Sequence, residues 1–133
     1  MAFLHKYLIF LGTVVIILTY VQGQPPLEFT STFKDVITER NKVLALPCSA
    51  VTQAEFQPIT YTWRKDGAPI NGDARCNISA DGTLNIKRVK NSQKVTDNGV
   101  YDCLATDTFG TIQSPKFQVT VSGHGFVKAV VRL

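Results

Sequence analysis

The chain has 133 residues, about the length of one ordinary domain, with 44% hydrophobic and 18% charged side chains. This length argues against a large multidomain enzyme, and the composition argues against collagen, coiled coils and disordered tails. The formal charge of +4 is mildly basic, with acids and bases interleaved. Such a balance permits contact with anionic glycans without demanding a nucleic acid.

Residues 1–23 stand apart. They carry one Lys and no acid, and an uncharged, mostly apolar run extends from Tyr7 to Val21. Val21-Gln22-Gly23 then offers small or modest residues at the two positions a signal peptidase reads, and Pro25-Pro26 follows. A basic start, an apolar centre and a small-residue cut make a secretory signal peptide. The run falls short of the roughly 20 apolar residues that span a bilayer; an uncleaved signal anchor is the other reading.

Past this leader the apolar residues alternate. Gln24 to Thr32 reads as a first strand. Leu44, Leu46 and Cys48 share one face, as do Tyr61 and Trp63, Leu84 and Ile86, then Tyr101, Cys103 and Ala105, and finally Phe117, Val119 and Val121. Period two with one apolar face marks half-buried antiparallel strands. Asp66-Gly67, Asn71-Gly72, Asp81-Gly82 and Asn98-Gly99 read as turns between them. Pro58, Pro69 and Pro115 fall at expected strand edges or loops. Seven or more short strands so punctuated predict two packed sheets over residues 24–122. Residues 123–133 read as a tail or a truncated linker.

Cys48 and Cys103, with Trp63 between them, are the informative set. In an exported chain, two cysteines on facing strands can cross-link the sheets, with a Trp packed against the bridge. Closing so long a loop contributes about 4 kcal/mol by the chain-entropy estimate, whose mechanism is disputed. Tyr101 precedes Cys103 by two positions within Asp97-Asn98-Gly99-Val100-Tyr101-Asp102-Cys103, the spacing of a tyrosine corner.

With Leu84-x-Ile86-x-x-Val89 and Trp63-Arg64-Lys65-Asp66-Gly67, this run resembles an immunoglobulin domain of the I-set. The resemblance implies an all-β, two-sheet Greek-key sandwich. It also implies that Asp97 fixes the turn before the tyrosine corner by pairing with a base such as Arg75. The long connection from Val89 to Asp97, Asp81-Gly82-Thr83-Leu84 before it and Gly110-Thr111-Ile112 after it are similar to a narrower group. That group is the first immunoglobulin domain of the netrin-receptor family: neogenin, frazzled and the deleted-in-colorectal-cancer receptor. The chain departs from it in the long segment between Cys48 and Trp63 and in carrying Cys76. No netrin-contact residue can be carried over.

Cys76 is the odd cysteine of three. It can pair with a second chain, pack as a small hydrophobe or sit free, and a monomer is the favoured state over a Cys76-linked dimer. Asn77-Ile78-Ser79 is an N-glycosylation acceptor with no Pro at its centre. Lys87, Arg88, Lys90 and Lys94 form the densest basic cluster, read either as a heparan-sulfate contact or as an ordinary solvated strand and loop. Asp97 and Asp102 read as turn or surface carboxylates.

Nothing points to catalysis, a cofactor, a metal or a small-molecule substrate. After the leader the only histidine is His124, there is no Walker-type glycine loop, and no Cys/His spacing suits zinc. The expected product is an extracellular recognition module, secreted or part of a longer cell-surface protein. By resemblance it serves guidance or adhesion signalling through contact with another protein. A homophilic adhesion module and a secreted heparan-sulfate-binding or decoy protein are the alternatives.

Overall fold

The computed structural model describes the backbone of residues 2–11, 14–23, 26–54 and 57–123, and side chains within the last two ranges. Two layers of strands enclose one core. The first layer holds β3 (Leu27–Phe29) against β6 (Ala50–Thr52), and β5 (Leu44–Leu46), β10 (Leu84–Ile86) and β9 (Cys76–Ile78) in that spatial order. The second is a six-stranded sheet in the order β4 (Val36–Glu39), β13 (Phe117–Ser122), β11 (Gly99–Asp107), β7 (Thr60–Lys65) and β8 (Ala68–Pro69). Its sixth strand, β12 (Gly110–Gln113), pairs with β11 alone.

Alternation accounts for the layering. Along β13, Phe117, Val119 and Val121 are buried while Gln118 and Thr120 are exposed; Leu44 and Leu46 in β5 and Leu84 and Ile86 in β10 repeat the pattern. The chain begins in one sheet at β3 and crosses to the other at β4, which runs parallel to β13. Ser49 carbonyl and Asp35 carboxylate satisfy backbone donors around this crossing, accepting from Thr30 N at 2.8 Å and from Gln118 N at 2.8 Å. Pro115 lies where β12 gives way to β13, and Pro69 sits on the short edge strand β8, where a missing amide costs no ladder bond.

Cys48 and Cys103 are joined across the layers, closing a separation of 55 residues with Cα atoms 6.4 Å apart. Trp63 is fully buried, meets the Phe117 ring edge-on at 6.1 Å, and donates from Nε1 to the Gly82 carbonyl at 2.8 Å. Leu84, Ile86, Val89 and Tyr101 complete the centre.

Three of the four expected turns hold a glycine at positive φ: Gly67, Gly72 and Gly82. Asn98-Gly99 does not. Gly99 opens β11 instead, and its need for glycine is spatial: an added Cβ would lie 2.9 Å from the Asp66 carboxylate. Asn98 is a brace, its carbonyl oxygen accepting from Val121 N and its amide donating to Asn91 and Thr96 at 3.0 Å. This network orders the long 90–98 connection against the last strand.

In the expected leader, β1 (Ala2–Leu11) and β2 (Val14–Gly23) pair antiparallel as a separate sheet, Ala2 opposite Gly23 and Leu11 opposite Val14. Among the described residues no helix is long and apolar enough to cross a membrane. Residues 124–133, most of the expected tail and its His124, lie outside the described residues.

Candidate recognition surface

The scaffold beneath the surface is tied at both ends of β11. At its start the Tyr101 hydroxyl donates to the Asp97 carbonyl at 2.7 Å, the tyrosine corner. Burial pushes the Tyr101 phenol well above its usual range, so it stays a donor. The Asp97 carboxylate accepts from both terminal nitrogens of Arg75, at 2.8 and 3.1 Å, and from Lys90 N at 2.7 Å. The structure thus brings together Asp97 and Arg75, the pair that the resemblance implies.

Arg75 also reaches Asp73 at 2.9 Å. The Arg75 backbone N–H, then its guanidinium, hold the Asp73 carboxyl below the ordinary range.

Midway along β11, Asp102 is not the surface carboxylate the sequence suggests. It alternates with the core-facing Tyr101 and Cys103, yet is only 3% exposed. Arg64, directly opposite on β7, covers it with paired bonds from Nε (2.9 Å) and Nη2, and Gln113 Nε2 donates to it at 2.7 Å. The Arg64 hydrogen bond leads the causes that hold this carboxyl below its usual range. The signal was present: pairing Trp63 with Cys103 places Arg64 opposite Asp102, the next row of the ladder.

Toward the β11–β12 hairpin from this pair the outer face of the six-stranded sheet is rich in hydroxyls, while exposed Lys116 lies on its β13 side and exposed Glu39 at its β4 edge. One row across it is Thr60, Thr106 and Thr111; the next is Thr62, Leu104 and Gln113. The face ends at the β11–β12 hairpin, where Phe109 is 59% exposed. Asp107 fixes that tip, accepting from Phe109 N at 2.7 Å and from the Thr52 hydroxyl. The Phe109 ring thus stands on a held turn beside Leu27 and Ile112.

The remaining candidates lie elsewhere. Lys87, Arg88, Lys90 and Lys94 are all exposed and form no ion pair among the described residues. Cys76 and Asn77 share β9, the edge of the three-stranded sheet: Cys76 is half-buried against the core with its thiol free, and Asn77 is exposed. Burial pushes the Cys76 thiol up. No cluster of metal-binding side chains occurs among the described residues.

Residues 24–121 match the family model of the immunoglobulin domain. The chain belongs to that family. This immunoglobulin domain is 32% identical over 97 residues to human protogenin, covering 72% of the chain and 8% of protogenin. It is 40% identical over 80 residues to mouse hemicentin-1, covering 59% of the chain and 1% of hemicentin-1. The chain therefore spans under a tenth of the curated relatives it matches. Among solved structures it is similar to a complex of titin M10 with an obscurin-like 1 immunoglobulin domain, with a TM-score of 0.61 and 25% identity. That match covers 74% of this chain and 95% of the other.

Proposed function

We propose that this immunoglobulin domain is an extracellular recognition module of guidance or adhesion signalling, a fragment or short soluble form of a netrin-receptor-like protein. Residues 1–23 act as its export signal. Likeness to protogenin supports the setting, and a sheet-to-sheet disulfide suits an oxidising compartment. The module acts by passive contact: a pinned scaffold presents the outer face of the six-stranded sheet to another protein.

The observation that carries this reading is Phe109. A large aromatic on a turn tied by Asp107, beside the Thr60–Thr106–Thr111 row, has the character of a binding anchor, since a few such residues supply most interface energy. The test is binding of residues 24–123 to an array of cell-surface ectodomains. Phe109→Asp should weaken the selected interaction at least about tenfold with an unchanged melting temperature. An unaltered affinity would remove this face from the mechanism.

A second reading has its own observation: the four exposed bases at 87, 88, 90 and 94 form no ion pair among the described residues. A heparan-sulfate contact there predicts retention on heparin beyond physiological salt, with a steep salt dependence. Elution below that salt removes it. Sedimentation of the same protein separates a homophilic module from a monomer.

A further inference from the structure

The outer face of the other layer points to a covalent modification with a structural consequence. Asn77 is the only asparagine of the chain followed two positions later by Ser or Thr. It sits at the centre of β9, where Cys76 and Ile78 turn inward onto the core, so its own side chain projects outward. The Asn77 amide makes no hydrogen bond among the described residues. Among the described residues β9 pairs only with β10, leaving its other edge open.

In register with Asn77 across the sheet lie Asn85 and then Ala45, a row of small side chains. Asn85 is tied down, donating to Ser79 Oγ at 2.7 Å and to the Thr83 carbonyl at 3.3 Å. The row spans two strand spacings, about 10 Å, with nothing bulky standing on it. An edge strand offers unpaired backbone groups to another chain, and the three-residue length of β9 limits that pairing without abolishing it.

We infer that Asn77 carries an N-linked oligosaccharide that lies over the β5–β10–β9 face and closes the open edge of β9 to other chains. The new bond joins Asn77 Nδ2 to the anomeric carbon of N-acetylglucosamine. The bond that breaks joins that carbon to the pyrophosphate of a lipid-linked oligosaccharide; lipid pyrophosphate leaves, and the amide gives up one N–H proton. The sugar and the Arg64–Asp102 face are then on opposite sides of the sandwich, so the glycan shields one layer and leaves the other open.

The experiment uses the full chain expressed with its own leader in a eukaryotic host, with medium and cell fractions collected separately. Protein from the medium should lose mass on treatment with peptide-N-glycosidase, and Asn77 should read as Asp in the treated peptide. Ser79→Ala should abolish the modification while Ser79→Thr keeps it. In sedimentation the glycosylated protein should remain a monomer, and the uncharged, unglycosylated Asn77→Gln protein should self-associate as its concentration rises. Exported protein without a glycan on Asn77 overturns the inference and spares the extracellular reading. Unmodified protein confined to the cytosol overturns both. An Asn77→Gln protein that sediments like the glycoprotein overturns the edge-closing role.

Discussion

Arg75 holds Asp97 with both terminal guanidinium nitrogens, tying the start of β9 to the turn before β11. The same aspartate takes the Tyr101 hydroxyl on its carbonyl and Lys90 N on its carboxylate, so four contacts converge on one residue. Its side chain is 7% exposed. Asp97→Ala should cost about 2–3 kcal/mol in chemical denaturation, because the part-buried Arg75 guanidinium and Lys90 N lose this charged acceptor while Arg75 keeps Asp73 and the Arg88 carbonyl. A variant as stable as the parent would show that the pair is incidental.

The bridge between Cys48 and Cys103 should matter as much. Cys48→Ser should lower stability by about 2–5 kcal/mol and reduce secretion. Normal export and an unchanged melting temperature would show that Trp63 and its neighbours hold the layers together unaided.

Much of this frame was legible because it is written locally. Period-two alternation located β5, β7, β10, β11 and β13, and the spacing of Tyr101 to Cys103 located the corner. Asn98-Gly99 and Asp102 were misread for one reason. Their roles depend on which residue stands opposite in the ladder or across a loop, and neither propensity nor turn chemistry encodes that. A dipeptide that favours a turn became a brace because Val121 and Asn91 arrive beside it. An aspartate in a strand became buried because Arg64 stands across from it. Phe109 escaped notice since an exposed aromatic in a hairpin has no periodic signature.

Gly82 shows how a turn can serve the core. Its φ is +91°, and an added Cβ would lie 2.3 Å from the Cys48 carbonyl oxygen and 2.7 Å from the Tyr61 ring. Its own carbonyl accepts the Trp63 indole N–H. Gly82→Ala should therefore destabilise by at least about 2 kcal/mol, from backbone strain and displacement of that bond. The measurement is denaturation together with Trp63 fluorescence, which should shift as the indole loses its acceptor. An unshifted spectrum would mean the turn adjusts without disturbing the core.

Cys76 should remain a thiol. It points inward from β9, half-buried, and burial raises its pKa, so little thiolate is present at neutral pH to attack another disulfide. Non-reduced intact mass of the secreted protein should show one chain with one bridge. A doubled mass that collapses on reduction, and disappears in Cys76→Ser, would make β9 a covalent dimer contact.

The Arg64–Asp102 pair predicts how stability depends on acid. Arg64 and Gln113 hold the Asp102 carboxyl below its unfolded value of about 3.9. The unfolded chain therefore takes up this proton first as pH falls. Its contribution is fully present above that unfolded value and is lost as pH drops through the lower, folded one. Asp102→Asn removes the charge at every pH and should cost about 2 kcal/mol at neutral pH, the scale of a hydrogen bond to a charged group. The difference between parent and variant should then shrink below about pH 4, because the parent's carboxyl is being neutralised as well. Denaturation curves across pH 2–7 read this directly. A difference that stays constant down to pH 2 would mean that the variant loses packing and hydrogen bonding rather than charge, and that the pair on this face contributes nothing through its ionisation.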